Sequence, residues 1–119
     1  MGAILTTAYR IKNWDKHFEC AQSRKCERMF WFSLPNKYDG KGYRRLLRHE
    51  HFSDIYTAWI LMLQVASKQE ERGLLVDLDG PLTAEDLEDC TGHAADKFEL
   101  AFSVLSQPNI GWLEVVDGI

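Results

Sequence analysis

Apolar residues recur with two different periods along this chain, and each period predicts an element. Residues 9–14 (Tyr-Arg-Ile-Lys-Asn-Trp) alternate apolar and polar positions, the period of a half-buried strand. Trp14, Phe18 and Ala21 then recur at i, i+4 and i+7, which predicts one helix with a single apolar face. Asn13 is its candidate cap and Asp15 lies in its first turn. Arg24, Lys25 and Arg28 follow near its C-terminal end, where cations suit the helix dipole. The aromatic run Met29-Phe30-Trp31-Phe32 predicts a strand covered on both faces and stopped by Pro35. Residues 36–42 carry an Asp39-Gly40 turn signal and form a loop, followed by a short basic helix over residues 43–48.

The second half is more regular. Ser53 is a candidate N-cap with Asp54 behind it, and Ile55, Ala58, Trp59, Met62, Leu63 and Ala66 fall at i, i+3, i+4, i+7, i+8 and i+11. This amphipathic helix is bounded by Gly73. Residues 74–76 predict a short strand, and Asp79-Gly80 a turn. Thr83 with Asp86 three residues on approximates a capping box that opens a brief acidic helix, ended by Gly92. A further helix is expected over residues 94–106, with Ala94, Phe98, Ala101, Phe102 and Leu105 as its stripe, closed by Pro108. Residues 110–116 form a last strand, from which Trp112 and Val115 are expected to close the core.

Helix, strand, helix, tight turn, helix, strand is the order of a winged helix-turn-helix, with Cys90-Thr91-Gly92-His93 as the turn. The expectation is therefore an α+β winged helix-turn-helix with an N-terminal helix and strand extension. A small α+β domain of another topology remains open beside it. The 119 residues suit one domain, 1–119, with residues 1–8 flexible. The final strand-like residues suggest the N-terminal part of a longer protein.

Composition changes this picture in one respect. Residues 1–52 hold eleven Lys and Arg against five Asp and Glu, a charge of +6, whereas residues 53–119 hold three against thirteen, a charge of −10. A split of this size points to a charged partner or to self-association. No stretch approaches the ~18 apolar residues of a membrane span, and the N-terminus carries no usable signal peptide. An intracellular, cytoplasmic protein with no membrane partner is expected. Cys20, Cys26 and Cys90 are odd in number and lack CxxC spacing, so reduced, mostly buried thiols are expected.

Several runs carry a family likeness. They are Ala21-Gln22-Ser23-Arg24-Lys25, Trp31-Phe32-Ser33-Leu34-Pro35-Asn36-Lys37 with Asp39-Gly40-Lys41-Gly42-Tyr43, Ala58-Trp59 with Gln64-Val65-Ala66-Ser67-Lys68, and Ile110-Gly111-Trp112-Leu113. Through them most of residues 9–116 resembles a phage-borne group similar to the N-terminal winged-helix domains of phage replisome organisers and DnaD-like primosome proteins. The resemblance implies a phage protein acting at the start of DNA replication, by DNA binding, oligomerisation or recruitment of a helicase or helicase loader.

The residues themselves qualify that implication. The N-terminal positions of a second helix-turn-helix helix meet base edges, and here they would be His93, Ala95, Asp96, Lys97 and Glu99. Only Lys97 is firmly cationic, and the preceding helix carries Glu85, Asp86, Glu88 and Asp89. Electrostatics dominates non-specific DNA affinity, so these helices make a poor duplex reader; they suit a solvated or protein-binding face. The nucleic-acid candidates are Arg24, Lys25 and Arg28 in one cluster and Lys37, Lys41, Arg44, Arg45 and Arg48 in another, with His93 and Lys97 secondary. The glycines and Tyr38 and Tyr43 of residues 36–45 would let backbone approach phosphates and rings stack on unpaired bases. The plainer alternative is a solvated loop whose aromatics tuck into the core.

Catalytic signals are weak. No Walker A or GxSxG motif is present, and Asp77 and Asp79 suit a turn better than an acid–base pair. His49-Glu50-His51 with Asp54 lacks HExxH spacing, and His17 with Cys20 lacks further ligands. No enzyme, metal or cofactor is expected. The reading is a non-catalytic DNA-binding or replisome-organising module. Its alternatives are a protein–protein interaction or homo-oligomerisation module without DNA contact, and a winged-helix transcriptional regulator.

Overall fold

Six helices and two small antiparallel ribbons form within residues 7–35 and 40–117, the part of the chain described by the computed structural model. In order they are β1 (Ala8–Ile11), α1 (Trp14–His17), α2 (Ala21–Arg24), α3 (Lys41–Leu47), α4 (Phe52–Ala66), β2 (Val76–Asp77), β3 (Gly80–Pro81), α5 (Ala84–Thr91), α6 (Ala95–Leu105) and β4 (Leu113–Val116). The fold is mixed α+β.

The periodic stretches of the second half behave as their spacing dictates. Ile55, Ala58, Trp59, Met62, Leu63 and Ala66 are all buried along α4. That face packs on α6, where Phe98, Ala101, Phe102 and Leu105 are buried, and α5 adds Leu87. Complete burial of a side chain such as Phe98 stabilises by roughly 1.5–3 kcal/mol. The capping box is present: the Asp86 N–H donates to Thr83 Oγ1 at 3.1 Å, and the Thr83 N–H to Asp86 Oδ2 at 2.9 Å. Gly92 ends α5 with φ +83°, a conformation that costs a residue with a Cβ.

Strand β1 ties the two ends of the chain together. It pairs with β4 from Ala8 opposite Val116 to Ile11 opposite Leu113. Its other edge is occupied by residues 73–75, through Ile11 N–H to Gly73 O at 2.7 Å and Leu75 N–H to Tyr9 O at 2.9 Å. Residue 8, expected in a flexible leader, is thus fully buried as the first residue of β1.

Several expectations are corrected. The single helix predicted from Asn13 breaks into α1 and α2, and Ala21 is exposed. Asn13 sits at the N-cap in the left-handed region, φ 56°, without a side-chain capping bond. The break places Glu19 where its carboxylate accepts from Trp14 Nε1 at 2.7 Å, Arg72 Nη1 at 2.8 Å and Ser23 Oγ at 3.4 Å. Residues 29–32 form no strand: Met29 is buried, but Phe30 is 92% and Trp31 55% exposed. Both edges of β1 are already taken, so β1 offers this run no pairing edge.

Helix α4 begins two residues earlier than expected, with His51 rather than Ser53 at the N-cap, and ends at Ala66. Gly73 bounds it only through its N–H to Ala66 O, at 3.1 Å across a turn. The predicted strand at residues 74–76 is a bridge at Leu74 followed by the β2–β3 hairpin. Helix α6 starts after Ala94, which is exposed, and the last strand starts only at Leu113. Leu113, not Val115, closes the core; Val115 is 52% exposed. Val115 lies opposite Tyr9, whose own ring stacks on Phe102 at 4.2 Å and covers that part of α6. The thiols are also more open than expected: Cys26 and Cys90 are exposed and Cys20 is half-buried, all three free.

Candidate nucleic-acid interface

Helix α3 gathers the strongest charge. Lys41, Arg44, Arg45 and Arg48 lie at i, i+3, i+4 and i+7, so they share one face, and all four are exposed. Leu46 is fully buried, which fixes which way the helix turns. Tyr43 packs edge-on against Phe52 and Tyr56, with ring centroids 5.7 and 6.0 Å away. At Gly42 a Cβ would come within 2.8 Å of Trp112 Nε1 and 3.2 Å of Ile110 O, so the absent side chain permits this close docking. Arg45 Nη1 completes it by donating to Asn109 O at 2.9 Å. Among the described residues, none of the four cations has a carboxylate partner within 4.0 Å. Like charges at these spacings repel, and an external anion relieves that repulsion.

The other candidates are distributed differently. Arg24 is occupied by Asp15, Nε to Oδ1 at 3.3 Å, while Lys25 and Arg28 are exposed. Arg28 borders a cleft that also holds Glu19, Glu27, Glu70 and Glu71, so its surroundings are mixed in sign. Lys37 and Tyr38 lie outside the described residues.

His93 and Lys97 are turned toward α4. His93 Nε2 donates to the Asp54 carbonyl at 3.3 Å, and Lys97 Nζ is 3.3 Å from Asp54 Oδ2 and 3.8 Å from Asp96 Oδ2. The Ala95 N–H at the start of α6 is already met by Glu88 Oε1 at 3.1 Å. A carboxylate therefore stands where a phosphate would approach a reading helix. Glu88 and Asp86 serve as capping acceptors, and all four carboxylates, Glu85 and Asp89 included, are exposed.

Beside α3 lies a feature that the sequence reading missed. A cavity of about 390 Å³ is lined by Phe18, Tyr43, Tyr56, Trp59 and Trp112, with Lys12, Asn13 and Gly42 among its other walls. Trp59 and Trp112 approach to 5.1 Å between ring centroids. Their separation in the chain, 53 positions by number, leaves no local signal; only the glycine at 42 marks a close approach.

The remaining chemistry is slight. His49 Nδ1 accepts from the His51 N–H at 3.0 Å, which uses that lone pair for a turn. Among the described residues no group of three or more His, Cys, Asp or Glu side chains could hold a metal ion. Asp77 Oδ1 accepts from the Asp79 N–H at 2.8 Å, and both belong to the β2–β3 turn. The Cys20 thiol is held below its usual pKa, chiefly because the Ser23 backbone N–H donates to it. Burial pushes the Tyr9 hydroxyl up. No described helix is long and apolar enough to cross a membrane. Comparison with known proteins yields no match to this chain among family models, curated proteins or solved structures.

Proposed function

We propose that this chain is a non-catalytic DNA-binding module that holds the phosphate backbone with α3. The carrying observation is the stripe of Lys41, Arg44, Arg45 and Arg48, exposed on one face and without carboxylate partners among the described residues. Phosphate contacts supply most non-specific affinity and need only positive charge and access. The α5–α6 pair offers neither, since its cation Lys97 is paired and its helix start is met by Glu88.

Within this reading the fold is a winged helix-turn-helix variant. The order α4, residues 73–75, α5, α6, β4 supports it, with β1 lying between the 73–75 edge and β4. The likeness to phage replisome organisers supports a task at replication initiation, where a helicase or its loader would be the protein partner.

The test is an anisotropy titration with a fluorescent oligonucleotide at several salt concentrations. Replacement of Lys41, Arg44, Arg45 and Arg48 by Ser or Gln should flatten the salt dependence by about three units of log K against log salt. Wild-type binding with no salt dependence, or no binding at all, overturns the proposal.

A second reading rests on the exposed carboxylates Glu85 and Asp89. Here the α3 cations of one copy meet α5 of another. A dimer that dissociates with salt, without DNA binding, would establish it. A transcriptional regulator would additionally select one sequence from a random pool.

A further inference from the structure

The geometry points to the aromatic cavity beside α3 as a binding site for one unpaired nucleobase of a single strand whose phosphates run along α3. This inference rests on the α3 reading and narrows it to a form of nucleic acid.

Size and chemistry carry the argument together. A cavity of about 390 Å³ lies within the range typical of small-ligand pockets, roughly 300–1,000 Å³. Five aromatic side chains, Phe18, Tyr43, Tyr56, Trp59 and Trp112, contribute to its walls. A planar heterocycle is the ligand shape that such walls hold best, because every base presents a π face. The walls also hold hydrogen-bonding capacity. Among the described residues neither the indole N–H groups of Trp59 and Trp112 nor the hydroxyls of Tyr43 and Tyr56 are spent on a protein partner, and none is a buried orphan. Those donors, with the Asn13 amide, suit the carbonyls and ring nitrogens of a base.

Charge fixes the orientation. Tyr43 and Gly42 belong both to the cavity wall and to α3, on the sides of the helix turned away from the cationic stripe. Cavity and stripe thus lie on different faces of one short helix, and Gly40 places the cavity at its N-terminal end. Lys12 also contributes to the wall, its Nζ beside Gly111. A nucleotide whose base enters the cavity would leave its phosphate beside Lys12, and the strand would reach the stripe by passing around the N-terminal end of α3, where Lys41 stands. In a duplex the base is stacked and paired and cannot enter without being flipped out. The site therefore favours single strands.

The experiment compares three probes of equal length by anisotropy and by tryptophan emission: a twelve-residue oligothymidylate, an abasic strand with the same phosphates, and a duplex. The oligothymidylate should bind about tenfold tighter than the abasic strand and quench tryptophan emission, which the abasic strand should not do. Tyr43→Leu should bring the ratio of the two affinities toward one. Asn13→Gly, at an exposed position whose φ of 56° glycine adopts freely, removes an amide that faces the base. It should lower the ratio as well and serves if the first variant folds poorly. Thymidine monophosphate alone should shift the Trp59 and Trp112 indole N–H resonances. Equal binding of the oligothymidylate and abasic strands, or tighter duplex binding, overturns the base site while leaving the α3 reading intact. Failure of all three probes to bind removes both.

Discussion

Residues 8–48 and residues 52–116 are held together by different means. In the later region α4, α5 and α6 run 15, 8 and 11 residues, and each buries a stripe that its own spacing defines. In the earlier region α1, α2 and α3 run only 4, 4 and 7 residues. Helices of that length are not stable alone, because nucleation is costly and few bonds follow it. They depend on contacts with the later region. Arg72, from the turn after α4, reaches Glu19 Oε1 at 2.8 Å and Ser23 O at 3.0 Å, and also bonds Cys26 O. Gly73 lets Trp14 close down on the same turn, and Gly42 lets Trp112 close down on α3. The regular half thus acts as the template on which the basic half is laid, and the candidate interface sits on the laid part.

The largest expected effect tests that dependence directly. Arg72→Ala removes the cation from Glu19, whose side chain is only 5% exposed, and leaves a buried carboxylate unpaired. Loss of one partner of such a pair costs about 3–5 kcal/mol, read as a lower urea midpoint. The double variant Glu19→Gln with Arg72→Met should recover much of it, and a single variant within 1 kcal/mol of wild type would break the contrast between the regions.

Gly73→Ala comes next. Its φ is +90°, and a Cβ would lie 2.6 Å from Trp14 Cβ and Cγ. Strain and overpacking together should cost roughly 1–3 kcal/mol. Amide exchange should quicken in residues 14–24 more than in α6; uniform quickening would mean that the two regions unfold as one unit.

Thr83→Ala is the smallest and lies wholly in the regular half. It removes the acceptor for the Asp86 N–H and should cost about 1 kcal/mol. Binding to any α3 probe should remain unchanged, as measured by the same anisotropy titration. A changed salt slope would connect α5 to the interface and blunt the distinction.

Legibility followed the same division. All six apolar positions predicted for α4 are buried, and Thr83, Asp86 and Gly92 bound α5 as their chemistry requires. The helix predicted from Trp14 through Ala21 failed because a three-residue stripe carried no information about Arg72, 53 positions beyond Glu19. The exposed run at Phe30 and Trp31 failed because β-propensity describes a side chain's fit to a sheet and not the availability of an edge. Of the candidate site, the clustered cations Lys41, Arg44, Arg45 and Arg48 were legible, whereas the occupation of Lys97 by Asp54 was not.

The sequence by itself determined where long helices run, how α5 is capped, and that positive and negative charge separate along the chain. Those properties depend on residues within about one or two helical turns of each other. Only the tertiary structure decided which charges remain free and which aromatics share a cavity. Those outcomes depend on side chains brought together from distant positions, such as Gly42 with Trp112 and Lys97 with Asp54, after the backbone has closed around its core.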